Sequence, residues 1–206
     1  MSITPSTPLR ALSGLSEEPA RLSEAVLVLI DMQNTYRSGV MALEGAEEAV
    51  AEAARLLARA RAVGTPVVHV QHDSGVGSPY DITAPVGAIS DEVAPADGEQ
   101  VVVKSFPNSF HATELEKVLT DLGFPAGGGK DLILAGFMTH MCVNYTAQAA
   151  FNLGYRPTVV AEATATRALA APDGTVVPAA ELKRAALTAL TDVFAVVVPT
   201  AADLPA

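Results

Sequence analysis

The chain has 206 residues, a length typical of one domain with a sizeable core. Hydrophobic residues make up 50% of it and the mean hydropathy is +0.31, which excludes a disordered chain, and no apolar run is long enough to span a membrane. The net charge of −10 argues against nucleic acid or an anionic membrane as a partner, because both attract clustered Lys and Arg. We therefore expect a soluble globular protein.

Cys142 is the one cysteine of the chain, so an intramolecular disulfide cannot form. Residues 1–24 show no charged segment leading into an apolar one, as a secretory signal would. These features predict a cytoplasmic protein. A lone cysteine is often just a small buried hydrophobe, so its surroundings decide whether it does chemistry.

The first half of the chain predicts two strands joined by a helix. Residues 1–23 lack periodicity and predict an N-terminal arm laid over the surface or over a neighbouring subunit. The apolar run 25–31 predicts a strand buried on both faces, 45–63 an amphipathic helix, and 66–72 a second strand. The stretch 73–100 is rich in Gly and Pro and predicts a long irregular excursion of the kind that forms lids or subunit contacts.

The second half continues the alternation of strands and helices. Residues 101–104 predict a strand, and a Thr113-x-x-Glu116 capping box predicts a helix over 113–122. The run 132–135, broken by Gly136, predicts a strand and then a tight loop. A helix follows, with Cys142 in its first turn and Gly154 at its end.

The remaining segments complete a single domain over residues 1–206. They predict a strand at 156–162, a loop or broken helix at 163–177, a helix at 179–191 and a strand at 194–198. Six strands mostly separated by helices predict a three-layer α/β/α sandwich around a mostly parallel, Rossmann-like sheet with strand order 3-2-1-4-5-6.

Three chemically reactive residues follow predicted strands. Asp31, Lys104 and Cys142 each fall at or just past the carboxyl end of one, and this topology brings those ends to one edge of the sheet. Taken singly, the Asp could be a turn cap and the Lys a solvated strand end. Their joint placement favours a catalytic site.

The three side chains suit acyl transfer through a thioester. The helix start and a nearby lysine are expected to lower the pKa of the Cys142 thiol. A carboxylate such as Asp31 can take the thiol proton and return it to a leaving amine. The Cys142 N–H, with one from the preceding loop, can stabilise the oxyanion.

At these residues the sequence resembles the isochorismatase-like cysteine hydrolase superfamily, which includes nicotinamidases, ureidoacrylate amidohydrolases and isochorismatases. The resemblance covers about residues 25–168, and its motifs come in the family's order and spacing. They are Leu29-Ile30-Asp31-Met32-Gln33-Asn34, Val103-Lys104 with Ser109-Phe110 and Thr113-x-Leu115, and Gly136-x-x-Thr139-x-x-Cys142-Val143.

The resemblance implies roles for these residues. Asp31 would be the base, Lys104 the electrostatic partner and Cys142 the nucleophile. The Phe137–Met138 peptide bond would be cis, and the N–H groups of Met138 and Cys142 would form the oxyanion hole. The resemblance also implies a homo-oligomer, a dimer or tetramer, in which the 73–100 segment or the arm completes a neighbour's site.

The histidines depart from the nicotinamidase pattern, which places a metal site after the second strand. Strand alternation sends His69 and His72 to opposite faces, so we expect no metal and no cofactor. His111, after the lysine, either lines the site or lies on the surface.

The expected substrate is a small molecule with an amide, ureide or lactam bond. Three other interpretations stay open: an isochorismatase-type vinyl ether hydrolase, a non-catalytic binding or assembly module, and a dehalogenase-type phosphatase, which is disfavoured because position 33 is Gln rather than Asp. The residues expected to line the substrate pocket are Gln33, Tyr36, Phe106, Phe110 and Tyr145.

Overall fold

A computed structural model of the protein describes residues 4–206, which form a six-stranded parallel sheet with helices on both faces. The spatial order of the strands is β3-β2-β1-β4-β5-β8, and a separate two-stranded hairpin pairs β6 with β7. The strands are β1 Ala25–Ile30, β2 Val67–His72, β3 Gln100–Lys104, β4 Asp131–Phe137, β5 Arg156–Ala165, β6 Leu169–Ala170, β7 Val176–Val177 and β8 Val196–Val198.

Helices cover the two faces of the sheet unequally. The longest, α2, packs on one face against Leu27 and Leu29 of β1, whereas residues of α3, α4 and α5 pack on the other against Val26 and Val28. The helices are α1 Leu9–Leu12, α2 Ala46–Val63, α3 Leu115–Asp121, α4 Asn144–Asn152 and α5 Ala179–Asp192.

The predicted architecture is confirmed: three layers, a parallel sheet, and the predicted strand order once β8 is counted as the sixth strand of the sheet. Every residue of β1 and of β4 is buried. Continuous apolar runs of this kind are what parallel strands covered on both faces require. These two central strands lead directly to Asp31 and to the loop before Cys142.

Three local predictions were wrong. Strand β4 does not stop before Gly136 but continues to Phe137. The segment 163–177 is neither loop nor broken helix: β5 runs on to Ala165, and β6 and β7 follow as a hairpin. The capping box at Thr113 does not form, because α3 begins at Leu115 and the Thr113 hydroxyl donates instead to the Ser109 carbonyl.

In the part of the chain that the structure describes, the N-terminal segment packs against the rest of the same chain. The Arg10 guanidinium is buried and donates to the carbonyls of Ser16 and Val193, and the Leu22 N–H donates to the Pro205 carbonyl. These contacts tie the arm to the C-terminal part of the domain. Within residues 4–206, no helix combines the length and the apolar character that a membrane crossing requires.

Candidate active site

Asp31 stands immediately after β1, at the carboxyl edge of the sheet. Its φ of +51° lies in the left-handed region, which non-glycine residues seldom adopt and which often marks functional positions. The Asp31 N–H donates to the Val70 carbonyl and the Asp31 carbonyl accepts from the Gln33 N–H, so the backbone is held in this conformation. The carboxylate is fully buried.

Lys104 ends β3 and reaches across the sheet edge to Asp31. Its Nζ lies 2.7 Å from Asp31 Oδ2 and 3.3 Å from Cys142 Sγ. The side chains of Lys104 and Asp31 are both 0% exposed, so they form a buried ion pair. The three residues that the sequence placed at separate strand ends therefore come together.

Cys142 lies in a π-helical turn, Thr139–Val143, that precedes α4. The prediction placed it in the first turn of an ordinary helix. In the π-helical turn the Met138 carbonyl accepts hydrogen bonds from the N–H groups of Met141 and Val143, the residues on either side of Cys142. Such single π-helical turns are rare and often occur at functional sites.

The thiol is not the preformed anion that the sequence predicted. Burial raises the pKa of the Cys142 thiol to about 12, and the Asp31 carboxylate raises it as well, while Lys104 lowers it. Burial also raises the pKa of the Asp31 carboxyl, against the attraction of the Lys104 ammonium. A thiolate would add a second negative charge to a buried site that holds one ammonium, so the resting sulfur keeps its proton.

Asp31 keeps one oxygen available for that proton. Its Oδ2 accepts from Lys104, whereas its buried Oδ1 has no hydrogen-bond partner among the described residues. An unpaired buried carboxylate oxygen costs free energy, and such groups are often found where a catalytic role explains them. The geometry suits a proton acceptor next to the sulfur.

The Phe137–Met138 peptide bond is cis, as the family resemblance implied. It joins the end of β4 to the π-helical turn. Both residues are buried.

His72 contacts Lys104, a neighbour that the sequence did not reveal. It ends β2, and its Nδ1 lies 3.1 Å from Lys104 Nζ. From the sequence it was considered only as a metal ligand. The predicted sheet order could have revealed the contact, because it places β2, which ends at His72, between β1 and β3.

Two of the predicted substrate contacts lie near the Asp31, Lys104 and Cys142 side chains. Tyr36 is buried, with its ring edge-to-face on Tyr80 and Phe137 at 5.8 and 5.4 Å. Burial and the nearby Asp31 carboxylate raise its pKa. Gln33 donates both amide hydrogens to the carbonyls of His72 and Gly87, so it holds backbone in place.

The other aromatic candidates lie further out. Phe106 is 49% exposed and Tyr145 is 51% exposed. His111 is exposed and its ring contacts Phe106 edge-to-face. Phe110 stacks on Tyr155 and packs against the core on the α3 face, which gives it a packing role.

The histidines considered as metal ligands have different partners. His69 Nε2 lies 2.9 Å from Glu99 Oε2, whereas His72 faces Lys104. Among the described residues, no group of three or more His, Cys, Asp or Glu side chains is placed to hold a metal ion.

The fold and the buried Asp, Lys and Cys group define a hydrolase of the cysteine type. Residues 25–202 match the model of the Isochorismatase domain, and the chain belongs to this family. A crystal structure of an isochorismatase from Pseudomonas putida KT2440 superposes with a TM-score of 0.90 and 42% identity, over 97% of this chain and 100% of that one.

Two relatives of named activity are hydrolases, and one of them is an amidohydrolase. A streptothricin hydrolase of Streptomyces noursei is 36% identical over 181 residues, 87% of this chain and 63% of its own. A maleamate amidohydrolase of Pseudomonas putida KT2440 is 33% identical over 171 residues, 75% of each chain. The chain is a hydrolase of this family.

Proposed function

We propose that the protein is a cysteine amidohydrolase that cleaves a C–N bond of a small amide, ureide or lactam through a thioester, without a metal or cofactor. The observation that carries the proposal is the position of Lys104 Nζ, within hydrogen-bonding distance of both Asp31 Oδ2 and Cys142 Sγ in a buried site. The amidohydrolase among the relatives supports the reaction class.

In the first half-reaction, Cys142 Sγ attacks the carbonyl carbon and its proton passes to Asp31 Oδ1. A thiol with a raised pKa is a poor nucleophile until a base takes its proton, so attack and proton transfer occur together. The backbone N–H groups of Met138 and Cys142 stabilise the oxyanion. The C–N bond then breaks, and Asp31 returns the proton to the leaving nitrogen.

In the second half-reaction, water hydrolyses the thioester. Asp31 takes a proton from the attacking water, the new C–O bond forms, and the C–S bond breaks. The proton then returns to the sulfur, so the thiol and the carboxylate are regenerated. The Lys104 ammonium compensates the negative charge that moves between Asp31, the sulfur and the oxyanion.

We expect the substrate to contact Tyr36, with Phe106 and Tyr145 at more exposed positions. The two named relatives act on chemically different compounds, so the substrate must be found by screening. A homo-oligomer, a cytoplasmic location and a small-molecule substrate as the partner remain predictions.

The test is a screen for released ammonia or amine over small amides, ureides and lactams, with Cys142→Ala and Cys142→Ser as matched controls. We expect at least one compound to be hydrolysed by the wild-type protein and by neither variant, and iodoacetamide to abolish the activity. Activity that survives in Cys142→Ala would overturn the proposal. Cleavage of a vinyl ether such as isochorismate, with no amide cleaved, would establish the alternative reaction instead.

A further inference from the structure

The ammonium of Lys104 has three hydrogens, and the structure provides one acceptor for each. Two acceptors belong to the proposed triad, Asp31 Oδ2 at 2.7 Å and Cys142 Sγ at 3.3 Å. The third is His72 Nδ1 at 3.1 Å. The proposed reaction has so far given this histidine no task.

The strand order explains why Lys104 needs support at this point. Strand β2 lies between β3, which carries Lys104, and β1, which leads to Asp31. Neighbouring strands are ~4.8 Å apart, so β3 and β1 are separated by about 10 Å, a gap that the Lys104 and Asp31 side chains bridge together over the end of β2. His72 is the last residue of β2 and the register partner of Lys104, which puts its side chain along this path.

The hydrogen bond requires a neutral ring with its proton on Nε2. His72 Nε2 lies 3.0 Å from Ser74 Oγ, so Nε2–H can donate a hydrogen bond to this hydroxyl, which leaves the lone pair of Nδ1 for Lys104. Burial and the Lys104 charge lower the pKa of His72 to about 4, while Asp73 opposes this. The ring is therefore neutral at pH 7 and can accept from an ammonium.

The position of His72 is itself held on several sides. Gln33 Oε1 accepts from the His72 N–H at 2.8 Å, and Gln33 Nε2 donates to the His72 carbonyl at 2.9 Å. The imidazole packs edge-to-face on Tyr80 with 4.7 Å between ring centroids. Gln33 therefore acts on the site through His72.

We propose that His72 is a positioning residue of this active site: its Nδ1 accepts the third hydrogen bond of Lys104 and holds the ammonium between Asp31 and Cys142, while Gln33 fixes the His72 backbone. The inference rests on the proposed function. Without His72, the lysine would keep an unpaired N–H in a buried site and would be free to leave the sulfur.

The test compares two variants of His72. In His72→Asn, the side-chain oxygen can replace Nδ1 at the same number of bonds from the backbone, and His72→Leu has similar bulk but no acceptor. With an amide identified by the screen, we expect His72→Leu to lower kcat by about 10- to 100-fold with KM changed less than about 3-fold, since the lost contact is not to substrate. His72→Asn should stay within about 5-fold of wild type.

Alkylation of Cys142 by iodoacetamide supplies a readout without substrate. We expect it to be slower in His72→Leu than in wild type or His72→Asn at pH 7, because the thiol loses the nearby ammonium. Equal kcat in His72→Leu and wild type would overturn the inference. Equal losses in both variants would overturn it too, because the acceptor would then not be the cause.

Nitrogen-15 NMR of the imidazole in the wild-type protein tests the inference even if His72→Leu fails to fold. We expect a neutral ring protonated on Nε2 at pH 7. A charged ring, or a proton on Nδ1, would overturn the inference and leave the triad untouched. Full activity of Cys142→Ala would instead overturn the proposed function, so the two failures are distinguishable.

Discussion

Ile30 and Gly136 are register partners on β1 and β4, and the two backbones are so close that a Cβ on Gly136 would overlap the Ile30 carbonyl oxygen. Gly136 also has a φ of +133°, a conformation that L side chains rarely adopt. Asp31 follows Ile30 directly, and Phe137 leads from Gly136 into the turn of Cys142. The absence of a side chain at position 136 therefore allows the segments that lead to Asp31 and to Cys142 to approach each other.

Replacing Gly136 by Ala should destabilise the protein and reduce activity together. We expect a loss of at least about 3 kcal/mol in the free energy of unfolding, from overlap with backbone that cannot yield and from the positive φ. Gly98→Ala is the matched control, because Gly98 has a φ of +88° and an added Cβ there would meet no atom within 4 Å. The Gly98→Ala variant should lose about 1 kcal/mol in the free energy of unfolding. Urea unfolding measures both, and equal losses would refute the role of the close approach.

The sequence predicted the features that depend on local patterns of residues. The apolar runs of β1 and β4 identify buried parallel strands, and the strand ends locate Asp31 and Lys104 at one edge. From the sequence, Gly136 was interpreted as the end of a strand. A glycine is required there because a side chain would overlap the carbonyl of Ile30, a residue distant in sequence. Only the folded chain shows this contact.

The chemistry of the site depended still more on tertiary structure. The raised pKa of Cys142 follows from burial and from Asp31, neither of which is visible in the residues around the cysteine. The hydrogen bond that Lys104 donates to His72 follows from the pairing register of β2 with β3. Residue types at strand ends indicated the participants, but not the protonation state of the thiol or the support of the lysine.

Asp31→Asn should lose both activity and stability. We expect kcat to fall by about 10²- to 10⁴-fold, because the proton acceptor is gone. Stability should fall by about 3–5 kcal/mol, because the buried Lys104 ammonium loses its carboxylate.

The double variant Asp31→Asn with Lys104→Met separates these two effects. Removing both charges leaves no buried unpaired ion, so we expect most of the lost stability to return while activity stays absent. Thermal unfolding and the ammonia assay together provide the check. A double variant less stable than Asp31→Asn would contradict the ion-pair account.

The raised pKa of Cys142 predicts how stability changes at alkaline pH. The folded-state pKa of about 12 exceeds the ordinary thiol value of 9.0, so the folded protein holds this proton more tightly than the unfolded chain. The contribution is complete below about pH 9 and is lost as the pH rises towards 12. Wild type should therefore lose more stability than Cys142→Ala over this window. Identical pH dependence in chemical unfolding experiments would show that burial does not raise the pKa of the thiol.

Glu99 should contribute stability with the opposite dependence on pH. Burial raises its pKa, but hydrogen bonds from Arg61, the Ala96 N–H and His69 outweigh burial and lower the pKa to about 2, below the ordinary 4.5. Its contribution is therefore present above about pH 4.5 and is lost as the pH falls towards 2. The contacts tie the start of β3, the strand of Lys104, to α2 and β2.

Glu99→Gln should lower the free energy of unfolding at pH 7 by about 1–3 kcal/mol and flatten its decline between pH 4.5 and 2. Asp121→Asn is the control, because Asp121 pairs with Lys117 on the exposed face of α3 and such surface pairs contribute little to stability. Urea unfolding across this pH range measures both variants. An unchanged acid profile in Glu99→Gln would mean that another carboxylate governs acid stability.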